Sequence, residues 1–373
     1  IRHYFKFNKK KNTLIMKKIL IATGGSGGHV MPALSMFDHL KNNFETIIVT
    51  DNRGSKFINK NKYQFNLIDV PNLFSKLYLF PINLIKFIIS IFKSYFFLKK
   101  QNINFLISTG GYMSIPFCIA SKFLKIKIFL FEPNSVLGKS NKFILSISKK
   151  IICYDKDIKL FPKKFINKII IIDPILRKEI YSYKRNQIKE FSNTKKILII
   201  GGSQGAKFFD KNITELVLKI SSKLQIEMSQ QVFDKKEKYI IEQKYKNTGI
   251  KFNLFDFDEE LFKNLNDCDI AITRSGASAI AELSFFNIPF IAIPFPFAKD
   301  DHQYFNAKFY ENRGGCWIIK QDNFDINKIS NLLIQLFEKK DEYLKKKKQL
   351  TIISNQNTWN NVNKKLLELF DEN

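Results

Sequence analysis

Two short apolar runs, at residues 17–22 and 195–200, organise the hydrophobic pattern of this chain. Each run places four consecutive apolar residues after a lysine pair, then leads into a glycine-rich turn and a segment of helical periodicity. An uninterrupted apolar run is typical of a parallel strand that is covered on both faces. Strand, glycine turn and helix together predict the opening unit of a doubly wound α/β domain.

The repetition of this unit predicts two Rossmann-like domains in tandem. A chain of 373 residues is long for one domain and fits two of roughly 150–180 residues each. Further apolar runs predict strands in both halves, at 45–50, 103–108, 126–131 and 150–154 in the first and at 226–232, 250–254, 268–273, 288–293 and 316–319 in the second.

The remaining segments complete the predicted organisation. Residues 1–15 are basic and precede Met16, so we expect a disordered extension there. The charged, strand-poor stretch 176–194 predicts an interdomain linker. Residues 355–373 begin with Asn and Thr residues typical of helix starts and predict a helix that returns to the first domain. The predicted domains are therefore 16–175 and 195–354.

The strongly basic balance restricts the partners without deciding between them. Lys and Arg total 61 against 34 Asp and Glu, a formal net charge of +27. This charge suits a nucleic acid, an anionic membrane or a phosphorylated substrate, and a composition rich in Lys, Asn and Ile can produce it alone. Only six of the basic residues are Arg, whereas nucleic-acid recognition relies on the bidentate contacts of Arg. The composition therefore disfavours nucleic acid.

Neither the cysteines nor the nucleotide motifs indicate a metal or an organic cofactor. The cysteines at 118, 153, 268 and 316 form no CxxC or Cys/His cluster, which indicates a reducing compartment and no structural zinc. The chain has no GxxxxGK[ST] motif of a P-loop. It also lacks a clean GxGxxG followed by a ribose-binding acid, which disfavours NAD and FAD.

Glycine-rich turns follow three of the predicted strands, at 24–28, 108–112 and 201–206. Glycines let backbone N–H groups and the next helix N-terminus approach a phosphate. In an open parallel sheet, ligands gather at the carboxyl ends of the strands. His29, between the first turn and its helix, is a candidate base or phosphate donor, and a helix-starting His bonded to backbone is the alternative.

Two further turns carry candidate binding groups. Residues 273–282 (TRSGASAIAE) combine small residues, which admit a ligand close to the backbone, with Glu282 inside a helical pattern. A carboxylate there can accept both ribose hydroxyls, or it can be a solvated helix charge. Residues 293–307 form a proline-braced turn followed by polar side chains that can bond sugar hydroxyls.

Six motifs together identify a family. GGSGGHVMPAL, STGGYMSIP, NSVLGKSNK, IGGSQGA, TRSGASAIAEL and PFPFAKDDHQYFNA occur in the order and spacing of the MurG family of N-acetylglucosaminyltransferases, which the chain resembles over about residues 17–370. The resemblance implies the GT-B fold, in which two Rossmann-like domains face each other across a cleft. It also implies a role in peptidoglycan synthesis.

The resemblance implies a site for UDP-N-acetylglucosamine, mainly on the second domain. It implies that Ser203 and Gln204 contact the diphosphate and sugar, that Glu282 binds the ribose, and that the uracil lies by Phe257 and Asp258. The other donor-binding residues that it implies are Ser26, Gly27, Gly28, Asn134, Arg177, Arg274, Ala277, Ser278, His302 and Gln303.

The resemblance places the acceptor, an undecaprenyl-diphosphate-linked N-acetylmuramoyl pentapeptide, on the first domain. Gly110, Gly111 and Tyr112 resemble the loop for the acceptor diphosphate. The chain departs from the family pattern in two segments and at one further residue. The usual HEQN is FEPN at 131–134, the usual GNPVR is DPILR at 173–177, and His302 replaces one of two Gln.

The implied reaction is an inverting displacement. The acceptor 4-hydroxyl attacks the anomeric carbon while UDP leaves, and His29 is the candidate base that takes the hydroxyl proton. Loop N–H groups and a helix N-terminus would stabilise the leaving diphosphate. Because no DxD pair stands where a metal-dependent transferase needs one, we expect no metal and no cofactor.

Residues 73–100 predict the contact with a membrane. The stretch is strongly apolar, but Pro81, Lys86 and Lys93 interrupt it, which disfavours a spanning helix. Aromatic residues with lysines favour insertion at the surface of an anionic membrane, with a buried core helix as the alternative. We therefore expect a peripheral protein on the cytoplasmic face of the bacterial inner membrane.

Two other functions compete with this interpretation. One is another GT-B glycolipid transferase that uses a different nucleotide sugar or acceptor. The other is a basic nucleic-acid-binding protein, which the shortage of Arg and the lack of a recognisable binding module disfavour.

Overall fold

Two parallel sheets form the centres of the two halves of the molecule. The computed structural model describes residues 16–71, 77–183, 193–256, 265 and 267–371, with the backbone alone at 77 and 203–206. The strands are β1 (Lys18–Ala22), β2 (Glu45–Thr50), β3 (Asn66–Leu67), β4 (Phe105–Ser108), β5 (Lys127–Glu132), β6 (Lys150–Cys153), β7 (Ile169–Ile171), β8 (Lys195–Ile200), β9 (Ile226–Gln231), β10 (Lys251–Phe255), β11 (Ile270–Thr273), β12 (Phe290–Ala292) and β13 (Cys316–Ile318).

The two sheets repeat one strand order. The first runs β3-β2-β1-β4-β5-β6-β7 and the second runs β10-β9-β8-β11-β12-β13, with every strand pair parallel. The strands predicted from apolar runs are confirmed. Strands β3 and β7, at the edges of the first sheet, were not predicted, because two or three residues are too short for a periodic signal.

Helices cover both faces of each sheet. They are α1 (Gly27–Leu40), α2 (Phe80–Gln101), α3 (Ile115–Phe123), α4 (Lys139–Ile144), α5 (Gly202–Ser221), α6 (Lys235–Lys246), α7 (Ala277–Phe285), α8 (His302–Glu311), α9 (Ile326–Glu338), α10 (Asp341–Ser354) and α11 (Trp359–Asp371). Asp234 and Asp325 cap α6 and α9 by accepting hydrogen bonds from first-turn N–H groups.

Alternate residues of the central strands divide each core into two layers. Ile19 and Ile21 of β1 face a cluster that includes α1 and α11, whereas Leu20 packs in a cluster that includes α3 and α4. This alternation follows from the two-residue period of a strand. It explains why the predicted strands are apolar at every position.

Helix α11 packs on the first domain. Val362, Leu366 and Phe370 lie one helical turn apart along α11 and are fully buried with residues of β1, β4 and β5. The ring of Phe370 lies 4.9 Å from that of Phe129 and 5.2 Å from that of Phe105, centroid to centroid. Burying one such side chain stabilises the fold by about 1.5–3 kcal/mol, so α11 fastens the second half of the chain to the first sheet.

The start of α11 also buries a histidine. His39 of α1 stacks on Trp359 with ring centroids 3.6 Å apart, and its Nδ1 lies 3.3 Å from the side-chain oxygen of Asn363. Burial lowers the pKa of His39 to about 4. His39 is therefore a neutral packing residue near neutral pH.

Candidate active site

The glycine-rich turns lie at the switch points of the two sheets. The strand order of the first sheet reverses between β1 and β4, and that of the second between β8 and β11. Ligands of doubly wound sheets bind in the crevice at such points. The turns after these four strands contain most of the predicted site residues, so each domain contributes one candidate crevice.

His29 lies in the first turn of α1 with one ring nitrogen engaged. Its Nδ1 atom is 2.7 Å from the carbonyl oxygen of Thr109, in the turn after β4. Because a carbonyl can only accept a hydrogen bond, Nδ1 carries a hydrogen, and in the neutral imidazole the lone pair is therefore on Nε2. The imidazole is thus held in the tautomer that a general base requires.

Two glycines leave room for the His29 ring. Gly110 and Gly111 have φ values of +90° and +76°, a conformation that side chains rarely adopt. A Cβ atom on Gly110 would lie 3.2 Å from His29 Cε1, and one on Gly111 would lie 3.6 Å from His29 Cδ2. The predicted acceptor loop therefore also seats the candidate base.

The start of α1 presents polar groups beside this loop. Ser26 is the N-cap residue of α1. Its hydroxyl makes no capping hydrogen bond, and no other hydrogen bond to the described part of the chain. Gly27 and Gly28 form the first turn, where N–H groups lack helical acceptors. These groups are suited to an anion.

Arg53, which no sequence motif singled out, contacts Tyr112 of the predicted acceptor loop. Its guanidinium carbon lies 4.8 Å from the centre of the Tyr112 ring, and the same group bonds to the phenol oxygen. Asp51 accepts from the N–H groups of Gly25 and Gly54 at 2.8 Å each and pairs with Arg53 at 3.3 Å. The Arg53 side chain is 53% exposed, so it can also contact an anion. The sequence signal for Arg53 was its position just after β2, because residues that follow a parallel strand lie at the ligand-binding edge of the sheet.

Asn134 contacts the second domain through Asn306. The Asn306 Nδ2 atom donates to Asn134 Oδ1 and to the Ser275 carbonyl oxygen at 3.1 Å each, and its Oδ1 atom accepts from the Ser135 N–H at 2.8 Å. Glu132 holds the Asn134 side chain from the other side at 3.0 Å. Asn306 lay inside a recognised motif but was not singled out. The structure makes it a buried bridge between the two domains.

Arg177 and Glu282 meet as an ion pair. Arg177 Nε lies 3.3 Å from Glu282 Oε1, and its NH2 atom lies 3.1 Å from Oε2. The two side chains are 16% and 13% exposed. Partial burial strengthens such a two-point contact. The segment between the domains therefore holds the carboxylate predicted to bind the ribose.

Arg274 lies in the interior and braces the neighbouring turns. It is 5% exposed and donates to the carbonyl oxygens of Ile293 and Pro294 at 3.1 Å and to Gln321 Oε1 at 2.6 Å. Burial lowers the pKa of Arg274 to about 10, which leaves the guanidinium charged at neutral pH. Ala277 and Ser278 follow at the first turn of α7, half-buried at the switch point.

Gln303 has a fixed amide orientation. Its Oε1 atom accepts from the Phe295 N–H at 2.9 Å and the Ser275 N–H at 3.3 Å. Its Nε2 atom has no hydrogen-bond partner among the residues that the structure describes, so it can donate to a sugar hydroxyl. The neighbouring His302 Nδ1 lies 2.9 Å from the Lys299 carbonyl oxygen.

Four of the remaining predicted residues lie where the structure describes the backbone alone or nothing. Ser203 and Gln204 lie in the first turn of α5, of which the backbone alone is described, and Phe257 and Asp258 lie outside the described residues. In the departure at 173–177, the Asp173 carboxylate pairs with Lys365 of α11 at 2.9 Å. The negative charge that Asp173 adds in place of the family's Asn is therefore balanced by a lysine of the same chain.

The α2 helix exposes most of its apolar side chains. Phe92 and Phe96 are 61% and 65% exposed, while the small polar Ser90 and Ser94 are buried on the opposite side. Pro81 lies in the first turn and does not interrupt the helix, so the expectation that it breaks the apolar run was wrong. Within the described ranges, α2 is the one helix long and apolar enough to cross a membrane by length and composition.

Sequence comparisons place these features in known proteins. The glycosyltransferase family 28 N-terminal domain matches residues 19–153, and the family 28 C-terminal domain matches 196–365. A protein of Pelagibacter ubique (strain HTCC1062) is 44% identical over 96% of this chain and 99% of its own length. One of Rickettsia bellii (strain RML369-C) is 34% identical over 86% and 91%. Both are named UDP-N-acetylglucosamine--N-acetylmuramyl-(pentapeptide) pyrophosphoryl-undecaprenol N-acetylglucosamine transferase.

Solved structures share the fold. MurG of Acinetobacter baumannii superimposes with a TM-score of 0.71 at 20% identity, covering 96% of this chain and all of that one. UDP-GlcNAc 2-epimerase of Neisseria meningitidis, bound to UDP-GlcNAc, gives 0.66 at 13% identity, covering 95% and 100%. The predicted GT-B architecture is confirmed. Because transferase and epimerase share it, the fold alone does not define the reaction.

Proposed function

The chain belongs to the MurG family within glycosyltransferase family 28, and we propose that it transfers N-acetylglucosamine from UDP-N-acetylglucosamine to lipid-linked N-acetylmuramoyl pentapeptide. The observation that carries the proposal is the His29–Thr109 hydrogen bond of 2.7 Å. It leaves a basic Nε2 atom at the first switch point, where the family's acceptor loop lies. The reaction converts lipid I to lipid II in peptidoglycan synthesis.

The reaction is a displacement with inversion at the anomeric carbon. The acceptor O4 atom forms the new bond to C1 as the bond from C1 to the UDP oxygen breaks. The O4 proton moves to His29 Nε2, and UDP leaves with the bonding electron pair. N–H groups at the first turns of α5 and α7 are suited to stabilise the charge on the departing diphosphate.

The donor lies on the second domain in this proposal. Glu282 accepts the ribose hydroxyls, and Arg177 keeps its carboxylate in place through the contacts at 3.1 and 3.3 Å. Gln303 donates its free Nε2 hydrogens to the sugar. Ser203 and Gln204 contact the diphosphate and sugar, and Phe257 and Asp258 lie by the uracil, as in the family resemblance.

The acceptor diphosphate lies against the first domain. Gly110 and Gly111 let the backbone approach the ligand closely. The Arg53 guanidinium packs on the ring of Tyr112. A diphosphate near the exposed Arg53 gains a charge-assisted contact. The reacting hydroxyl is then placed beside His29, which packs on the same glycines.

We propose that α2 lies flat on an anionic membrane surface at the cytoplasmic face of the bacterial inner membrane. Its exposed apolar residues suit the interfacial region, and its exposed lysines, Lys86, Lys93, Lys99 and Lys100, suit anionic headgroups. Leu98 and the buried serines of α2 pack on the first domain. A membrane-spanning position would strip these contacts, so a surface position fits better.

The transfer itself is the first test. Radiolabelled sugar from UDP-N-acetylglucosamine is expected on a short-chain lipid I analogue, with turnover unchanged by EDTA because no step requires a cation. UDP-glucose serves as the control donor. A folded protein that binds UDP-N-acetylglucosamine without transferring it to lipid I would indicate a different acceptor.

Vesicle flotation tests the membrane surface. The triple variant Ile85→Ser, Phe92→Ser, Phe96→Ser should lose about tenfold in binding to phosphatidylglycerol vesicles, because three exposed apolar side chains are removed. The matched control is Tyr239→Ser with Ile240→Ser on α6, which are also exposed but belong to the second domain. Equal losses in both variants would contradict a specific role for α2.

A further inference from the structure

Gln231, the last residue of β9, joins the turns that follow its two neighbouring strands. β9 lies between β8 and β10 in the second sheet. Gln231 Oε1 accepts a hydrogen bond from the Gly202 N–H at 3.0 Å, and its Nε2 donates to the Asp256 carbonyl oxygen at 3.0 Å. The side chain is 7% exposed, so little water is present to replace these bonds. One buried amide therefore links the turn after β8 to the turn after β10.

Each end of this link lies beside the proposed donor site. Gly202 directly precedes the two residues assigned to the diphosphate and sugar, and Asp256 directly precedes the two assigned to the uracil. We propose that Gln231 is a positioning residue that sets the spacing between the diphosphate turn and the uracil turn. The inference rests on the proposed function, because it takes the donor to be a UDP sugar. A nucleotide held at both ends binds well only when the two turns keep a matching distance.

The link requires a group that both donates and accepts. Gly202 has a φ of +64° and begins α5, where its N–H has no acceptor inside the helix. The Asp256 carbonyl needs a donor. A side-chain amide supplies both partners in one rigid plane, whereas an ionised carboxylate accepts only and a thioether supplies neither well. Glutamine is therefore chemically specified at this position.

The preceding residue provides a matched control. Gln230 is fully buried, but its Oε1 accepts from the Tyr245 hydroxyl at 2.9 Å and touches neither turn through a hydrogen bond in the described part of the chain. Adjacent residues of a strand point to opposite faces of the sheet. Replacing Gln230 removes a buried hydrogen bond of the same strand without releasing the two turns.

Isothermal titration of UDP against wild type, Gln231→Met and Gln230→Met tests the inference. Gln231→Met should weaken UDP binding by about 10- to 100-fold, because a shift of about 1 Å between binding elements has an effect of this size. The donor KM should rise in step, while the KM for a lipid I analogue stays within twofold. Gln230→Met should lower the thermal midpoint but leave UDP affinity within twofold of wild type.

Gln231→Glu adds a readout that loss of stability alone does not produce. The introduced carboxylate cannot donate to the Asp256 carbonyl at pH 8, but its protonated form can do so at pH 5. The ratio of the variant's Kd for UDP to that of wild type should therefore fall as the pH is lowered. Comparing the ratio at each pH cancels the titration of UDP itself.

Three results would overturn the inference. One is a folded Gln231→Met variant with UDP affinity within twofold of wild type, and another is equal weakening by Gln230→Met. If Gln231→Met does not fold, a pH-independent ratio for Gln231→Glu overturns it. A wild-type protein that fails to bind UDP contradicts the proposed function first and the inference with it, before any variant is compared.

Discussion

The two domains repeat one strand order but bring different side chains to their switch points. The first offers an imidazole with a free nitrogen, seated on two glycines with positive φ. The second offers side chains whose polar atoms brace the surrounding turns, as the bonds of Arg274, Gln303 and Gln231 show. One architecture can therefore supply a candidate base in the first domain and a set of rigidly held turns in the second. Variants in the first domain should therefore change turnover, and variants in the second should change donor affinity.

Replacing His29 should have the largest effect. His29→Ala is expected to lower kcat by about 10²–10⁴-fold, because general base catalysis contributes that much. UDP affinity by calorimetry should stay within threefold, since the donor is proposed to bind mainly to the other domain. A loss of UDP affinity as large as the loss of kcat would contradict the assignment of catalysis to the first domain and donor binding to the second.

Replacing Glu282 should act on binding. Glu282→Ala is expected to raise the donor KM by about 10–100-fold, because hydrogen bonds to a charged group contribute about 1.5–3 kcal/mol. Arg177→Ala should raise it less, and the double variant should resemble Glu282→Ala, since Arg177 acts through that carboxylate. Steady-state kinetics at several donor concentrations measures these effects. Additive losses would show that Arg177 acts on its own.

A pair of glycine variants sharpens the comparison further. Gly110→Ala should lower kcat by about tenfold, because its Cβ would lie 3.2 Å from the His29 ring and displace it. Gly249→Ala is the matched control, because Gly249 also has a positive φ, +70°, but no atom within 4 Å of an added Cβ. Both variants share a backbone cost of about 1–2 kcal/mol. Equal kcat losses would trace the effect to backbone strain instead of His29.

The smallest effect on activity is expected at a buried acid of the second domain. Asp210 in α5 is 4% exposed, and its carboxyl oxygens have no hydrogen-bond partner among the described residues. Burial raises the pKa of Asp210 from 3.8 to about 7, with Glu237 and Asp234 adding to the rise. Between these two values the unfolded chain ionises first, so rising pH destabilises the fold.

Asp210→Asn removes this cost. The variant should gain about 1–3 kcal/mol in free energy of unfolding above pH 7 and little near pH 3, where both states carry the proton. A midpoint rise of several degrees at pH 8, absent at pH 3, is the expected result of thermal unfolding. The kcat/KM value should stay within twofold. A gain independent of pH would show that the ionisation of Asp210 is not its source.

Helix α2 shows where pattern alone misled. Pro81 and the lysines of α2 suggested an interrupted apolar run, yet the helix is continuous because proline fits a first turn. Its burial is partly reversed relative to a core helix, since Ser90 and Ser94 face the protein whereas Phe92 and Phe96 face outward. Sequence periodicity identifies two faces of a helix, but which face meets the protein depends on the neighbour, here α3 and the first sheet.

Local sequence determined all strands but the short β3 and β7, the duplicated unit and the glycine turns, because apolar runs and glycine clusters act over a few residues of chain. It also placed His29 and Glu282 in the helices that follow β1 and β11, one at the switch point of each sheet. Only the tertiary structure decided which distant residues meet. Thr109 orients His29, Arg53 lies on Tyr112, Asn306 bridges to Asn134, and Gln231 links two turns. These contacts join residues tens to more than a hundred positions apart, and hydrogen-bond geometry at such separations is set by the packing of the sheets and helices.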